Sequence, residues 1–237
     1  MNDVGIMPAV DMNLGKALQF FGRLEGVEEG ITALKIGTQV TGSYGLMVSK
    51  GLFEQAGLEL PVCYDPQKQA TDVPFIVGRQ VEQVERELSP EYYIGSPLGS
   101  GNKTLEKFVN TCFDNKITPI IVVEMTQPGA TRYSGLEQCE QLATDAMDLG
   151  VEWIVAPATK PERIRVYRGI FDNEVSVVSP GSGPQKSGNV VEDAVTAVEL
   201  GADHLVIGRG IYQSNNPVKT VNDVYEAIKV AYEGRDF

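Results

Sequence analysis

Eight short apolar runs, each followed by a helical pattern, constrain this chain most. The runs are Ile6–Val10, Ala33–Ile36, Val62–Tyr64, Tyr92–Ile94, Pro119–Val123, Trp153–Val155, Val175–Val178 and His204–Ile207. They are mostly continuous rather than alternating, as expected of parallel strands buried on both faces. Helical spacing fills the intervals at Asn13–Leu24, Thr41–Ala56, Pro74–Leu88, Asn102–Asn115, Leu136–Leu149, Pro161–Ile170, Val190–Leu200 and Val218–Glu233. Several of these open on a polar cap or a proline, as at Thr159-Lys160-Pro161 and Asn216-Pro217. Eight strand–helix units in 237 residues, with no linker or composition shift, predict a single (β/α)8 TIM barrel domain over residues 1–237.

Barrels of this kind carry their chemistry at the C-terminal ends of the strands. Here strand 1 ends in Asp11, strand 2 in Lys35 and strand 3 in Asp65. A lysine and two aspartates after consecutive strands point to a site rather than a solvated rim. The stretch Val178–Tyr212 reads strand, glycine-rich loop, helix, strand, then Gly208-Arg209-Gly210. Glycines let backbone amides approach an anion, arginine adds a bidentate contact, and the loops after the last two strands are where barrels commonly bind phosphate. We read this stretch as a phosphate grip.

The formal net charge of -12 argues against nucleic acid or an anionic membrane as partner. The three cysteines, Cys63, Cys112 and Cys139, are far apart and suggest neither a disulfide framework nor a zinc site. The single histidine, His204, lies inside an apolar run and reads as a core or strand-end residue, which disfavours histidine metal sites and Ser-His-Asp catalysis. No metal is expected. Arg163, Arg165 and Arg168 read as an exposed helix face rather than a second anion site. No segment resembles a signal peptide or a membrane span, so a cytoplasmic protein is expected.

Taken in order, the strand-end motifs resemble those of the orotidine 5′-phosphate decarboxylases, most closely the short archaeal type, over nearly the whole length. They are Ala9-Val10-Asp11-Met12, Leu34-Lys35-Ile36-Gly37, Glu124-Met125-Thr126-Gln127-Pro128-Gly129-Ala130, Pro157-Ala158-Thr159-Lys160-Pro161-Glu162-Arg163, Ser179-Pro180-Gly181-Ser182-Gly183-Pro184-Gln185 and Ile207-Gly208-Arg209-Gly210-Ile211-Tyr212. The resemblance implies a cofactor-free decarboxylation of a small-molecule nucleotide in a homodimer whose sites are completed across the interface. It implies that Asp11 binds a ribose hydroxyl and that Lys35 sits in a charged array beside the ribose. Thr126 stands where the family usually has a serine contacting the pyrimidine. Pro180 belongs to the substrate-binding set, Gln185 bridges phosphate and base, and Gly208 and Arg209 hold the phosphate.

The chain departs from the family after strand 3. The family signature is Asp-x-Lys-x-x-Asp, whereas here Asp65, Lys68 and Asp72 are each separated by one residue more. The resemblance assigns like-charge repulsion against the substrate carboxylate to Asp65 and carbanion protonation to Lys68. Lys35 and Asp72 complete the catalytic array. One extra residue turns Lys68 to the other face if the backbone stays extended, whereas a bulge or turn at Pro66 returns it to the site. The family's downstream threonine falls on Phe75-Ile76-Val77, and its histidine-bearing strand 4 end is Gly95-Ser96-Pro97 here. Two readings therefore stand: an orotidine 5′-phosphate decarboxylase, or a nucleotide- or sugar-phosphate-binding barrel of the same superfamily with altered or lost chemistry.

Overall fold

The computed structural model describes residues 4–235 apart from 25, 26, 28, 58, 67, 68 and 185. The strands are β1 (Gly5–Val10), β2 (Leu34–Gly37), β3 (Val62–Asp65), β4 (Tyr92–Gly95), β5 (Thr118–Val122), β6 (Trp153–Val155), β7 (Ser176–Pro180) and β8 (His204–Ile207). Each pairs in parallel with its sequence neighbours, and β8 returns to β1 through Gly5 opposite His204 and Ile6 opposite Leu205. The closed barrel confirms the (β/α)8 architecture.

Successive side chains of a strand point to opposite faces. One set fills the barrel interior: Met7, Ala9, Ala33, Cys63, Ile94, Ile120, Val122, Val155, Val178 and Val206. The alternate set, including Ile6, Leu34, Ile36, Tyr64, Tyr93, Ile121, Ile154, Val177 and Leu205, packs outward against the helices. Both faces are apolar, which is why the runs are continuous.

The helices are α1 (Leu14–Gly22), α2 (Thr38–Thr41), α3 (Gly45–Gln55), α4 (Pro74–Glu87), α5 (Asn102–Asp114), α6 (Leu136–Asp148), α7 (Pro161–Phe171), α8 (Val190–Glu199), α9 (Arg209–Tyr212) and α10 (Pro217–Glu233). The helix expected over Thr41–Ala56 starts later, as α3, and the short α2 overlaps it only at Thr41. Gly45, the first residue of α3, has φ +78°, a left-handed conformation that only glycine adopts cheaply. Among the described residues no helix is long and apolar enough to cross a membrane.

The arginine patch on α7 corrects an expectation. Arg165 is exposed, but Arg163 and Arg168 are only 7% and 5% exposed. They share the buried stripe of α7 with Ile164, Tyr167 and Phe171. Their guanidinium groups are buried because carboxylates wait for them. Arg168 pairs with Asp203 and donates to the carbonyls of Gly201 (2.7 Å) and Val175 (3.0 Å). Asp203, fully buried just before β8, also accepts from the Val177 amide at 2.7 Å and from Arg235 at 2.9 Å. This cluster ties α7, β7, β8 and the segment after α10 together at the N-terminal end of the barrel. His204 is a buried strand residue as expected, stacked on Trp153 and hydrogen-bonded to Thr32 at 2.9 Å.

Removing one partner of a buried ion cluster leaves an uncompensated charge, which costs about 3–5 kcal/mol. Asp203→Ala is therefore expected to lower the urea midpoint by that equivalent with an unchanged m-value. A loss below about 1 kcal/mol would show that the cluster does not brace the barrel.

Candidate active site

The inward set of side chains leads at the C-terminal end to a cavity of about 330 Å³, within the range of small-molecule sites. Asp11, Lys35, Asp65, Thr126, Pro180, Gly208 and Arg209 all line it. The structure thus brings together seven of the residues singled out from sequence. Three of them follow the strand parity: Asp11 continues the Met7–Ala9 face of β1, Lys35 the Ala33 face of β2 and Asp65 the Cys63 face of β3.

Lys35, 6% exposed, places its ammonium 2.8 Å from Asp65 Oδ2 and 3.9 Å from Asp11 Oδ1. Burial alone pushes the lysine pKa down, but the charges of Asp65 and Asp11 outweigh it and hold it above the ordinary value. Lys35 is therefore a fixed positive charge at neutral pH. Asp11 Oδ1 is buried with no hydrogen-bond partner among the described residues. A buried acceptor without a hydrogen bond is costly, so this oxygen, 3.9 Å from the Lys35 ammonium, can accept one from a ligand hydroxyl.

The opposite end is built from the loops after β7 and β8. Gly181 turns with φ +115° beside Pro180 and Ser182. Arg209 stands exposed at the start of the short helix α9, whose Tyr212 also reaches the cavity. A short extra helix of this kind after strand 8 is a recurrent phosphate-binding element of barrels. The β7–α8 loop is held from below by Asp193 of α8, which accepts from the amides of Gly183 (2.8 Å) and Ser187 (3.2 Å). Burial raises the Asp193 pKa, but these hydrogen bonds and nearby Lys186 lower it further, so the carboxylate is ionised.

The wall carrying Thr126 contains a residue whose role the sequence did not reveal. Glu124, 2% exposed, lines the cavity and accepts from Lys160 Nζ (2.9 Å), Arg163 Nε (2.7 Å) and the Tyr167 hydroxyl (3.1 Å). Lys160 also donates to the Met125 carbonyl at 3.0 Å, and Thr159 to the Thr126 carbonyl at 3.1 Å. The loop after β5 is thus clamped to the start of α7. The available signal was the pair of cations, Lys160 and Arg163, in the motif after strand 6.

Asp72 stands apart in this single chain. It is exposed, does not line the cavity, and accepts from the Val73 amide through its own side chain at 2.6 Å. Strand β3 stops at Asp65, and buried Pro66 follows outside it. Lys68 and Gln185 lie outside the described residues. Among the described residues, no group of three or more His, Cys, Asp or Glu side chains is placed to hold a metal ion.

Comparison with known proteins gives consistent matches. Residues 9–224 match the model of the Orotidine 5′-phosphate decarboxylase / HUMPS family. The chain is 28% identical over 204 residues to the orotidine 5′-phosphate decarboxylase of Methanococcoides burtonii, covering 84% of this chain and 86% of that one. It is 39% identical over 111 residues to that of Thermococcus kodakarensis, covering 46% and 48%. Among solved structures, orotidine 5′-monophosphate decarboxylase of Methanocaldococcus jannaschii, complexed with the inhibitor BMP, superposes with a TM-score of 0.78 at 24% identity over 96% of this chain and 99% of that one. At that identity the superposition speaks for the fold.

Burial raises the Glu124 pKa, but its hydrogen bonds and ion pairs with Arg163 and Lys160 outweigh this and lower it below the ordinary carboxylate value. Below that ordinary value, about 4.3, the unfolded state binds the proton first. The stabilisation is therefore complete above about pH 5 and is lost as pH falls through the lower folded-state value. Glu124→Gln is expected to be less stable than wild type at pH 7, with the difference narrowing as pH falls below about 4. Parallel stability curves in urea titrations from pH 7 to 3 would refute the linkage.

Proposed function

We infer the activity from one premise: this chain belongs to the Orotidine 5′-phosphate decarboxylase / HUMPS family. It converts orotidine 5′-phosphate to uridine 5′-phosphate and CO2, as a carbon–carbon lyase of pyrimidine biosynthesis. One observation carries this reading. A buried ammonium, Lys35, bracketed by Asp65 at 2.8 Å and Asp11 at 3.9 Å, shares one cavity with the glycine-flanked Arg209. The relatives in Methanococcoides burtonii and Thermococcus kodakarensis bear the decarboxylase name, which favours this reading over a binding barrel with altered or lost chemistry.

Arg209, Gly208 and Gln185 hold the phosphate. Asp11 accepts from a ribose hydroxyl, and Thr126 and Pro180 line the pyrimidine end. At the ring, the bond to the carboxylate breaks, CO2 leaves, and the electron pair stays on the ring carbon. Asp65 sets a negative charge against the substrate carboxylate, a repulsion that ends when CO2 departs. The Lys68 ammonium stabilises the carbanion and gives it a proton, and Lys68 is reprotonated from solvent. What lowers the barrier is the difference between these interactions in the ground and transition states. Binding energy gained at the phosphate offsets the strain imposed at the ring. No metal or organic cofactor is required.

Asp72 acts in the site of a second copy. Its neighbours Val73 and Phe75 are 60% and 66% exposed, an apolar surface suited to a homodimer interface next to the carboxylate. The acidic chain, with Cys63, Cys112 and Cys139 all free and buried, suits the cytoplasm.

The ultraviolet absorbance of orotidine 5′-phosphate is expected to change on incubation with purified protein. In Lys68→Ala the rate should fall by about 10²–10⁴-fold, the range for a positioned general acid. Tight binding of uridine 5′-phosphate without turnover would sink the decarboxylase reading. In sedimentation, Phe75→Glu is expected to shift the protein from dimer to monomer and to depress turnover in the same step. A wild type that sediments as an active monomer would remove the role given to Asp72.

A further inference from the structure

The segment that joins Asp65 to Asp72 is anchored at described residues on both sides. Strand β3 ends at Asp65, fixed by its ion pair with Lys35. On the far side of Lys68, the Gln69 carbonyl accepts from the Ser96 amide at 2.8 Å, just past β4. The Gln69 side chain accepts a short hydrogen bond from the Tyr93 hydroxyl. Tyr93 faces outward from β4 and is 1% exposed, wedged against Tyr64 and Phe108. Ala70 is 1% exposed in the same sheet–helix layer and holds φ +69°. That conformation costs a non-glycine residue about 1–2 kcal/mol, and such strain clusters at functional sites. One turn later the Asp72 carbonyl accepts from Thr104 of α5 at 3.0 Å.

We propose that Gln69 and Tyr93 are a positioning pair for the reaction: their hydrogen bond holds Gln69, the residue that follows the lysine, against β4. This rests on the decarboxylase reading above. The lysine itself lies outside the described residues, and the inference concerns the anchors on either side of it. Burial, then Tyr64 and Cys112, push the Tyr93 phenol above its ordinary pKa, so it remains a donor across the working pH range. A donor this deep is not needed to stabilise the loop alone, because an apolar pair of the same shape would serve as well.

The test separates position from stability. Tyr93→Phe, Gln69→Met and the double variant are compared with wild type for turnover of orotidine 5′-phosphate, affinity for uridine 5′-phosphate and urea midpoint. The double variant replaces both partners with apolar groups, so its midpoint should return close to wild type. Its kcat should stay at least 10-fold down, with uridine 5′-phosphate affinity within about two-fold of wild type. Recovery of kcat together with the midpoint would make the pair merely structural and overturn the inference, as would single variants with unchanged kcat. An inactive wild type would strike the decarboxylase reading itself and this inference with it, an outcome visible before any variant is made.

Discussion

Everything in this barrel depends on the two-residue period of its strands. Closure leaves no free edge, so each strand must satisfy two environments at once, an interior about one side chain deep and an outer layer against helices. Parity then decides function. The side chains that fill the interior at Met7, Ala33 and Cys63 continue, two residues on in each strand, into Ala9, Lys35 and Asp65 at the mouth. A site made this way is rigid because its residues extend the packed core. It also tolerates little sliding, since a shift of one residue sends a charge into the apolar layer behind the sheet.

The buried charges divide into two groups by what surrounds them. Asp203 with Arg168 and Arg235, and Glu124 with Arg163 and Lys160, have their oxygens taken up by protein donors. Such clusters brace the scaffold. The carboxylate of Asp11 differs, because one of its oxygens is buried without a hydrogen bond among the described residues, as is the hydroxyl of Ser182 in the same cavity. Unmet hydrogen-bonding capacity is costly in a folded chain. Both atoms lie on a wall where a ligand can supply a partner.

Much of this was legible from sequence because strands and strand ends leave local signals. The barrel follows from run length and continuity, and seven predicted site residues fall at the ends of those runs. What was not legible depended on contacts between distant residues. Arg163 and Arg168 looked solvated because charge usually is, yet they occupy the same helical stripe as Ile164, Tyr167 and Phe171. Glu124 and Asp203, 39 and 35 residues away, compensate them, helped by Glu140 and by the carbonyls of Gly201 and Val175. The late start of the second helix coincides with one left-handed glycine, Gly45, which spacing alone does not reveal. Asp72 fits its motif in sequence but does not line the cavity of this chain, because a motif encodes order and not where the fold places each side chain.

The pair at the base of the site also constrains the chemistry. In the proposed reaction the repulsion on the substrate carboxylate comes from the charge of Asp65, and an uncompensated buried charge is costly. Lys35 at 2.8 Å compensates it. Two like charges about 4 Å apart repel by about 4 kcal/mol at an effective dielectric constant of 20, a contribution that exists only while Asp65 is ionised. The lysine next to the aspartate therefore does not cancel its role. By compensating the carboxylate within the fold, it lets a negative charge stand where, in the proposed reaction, the substrate's own is accommodated and then released as CO2.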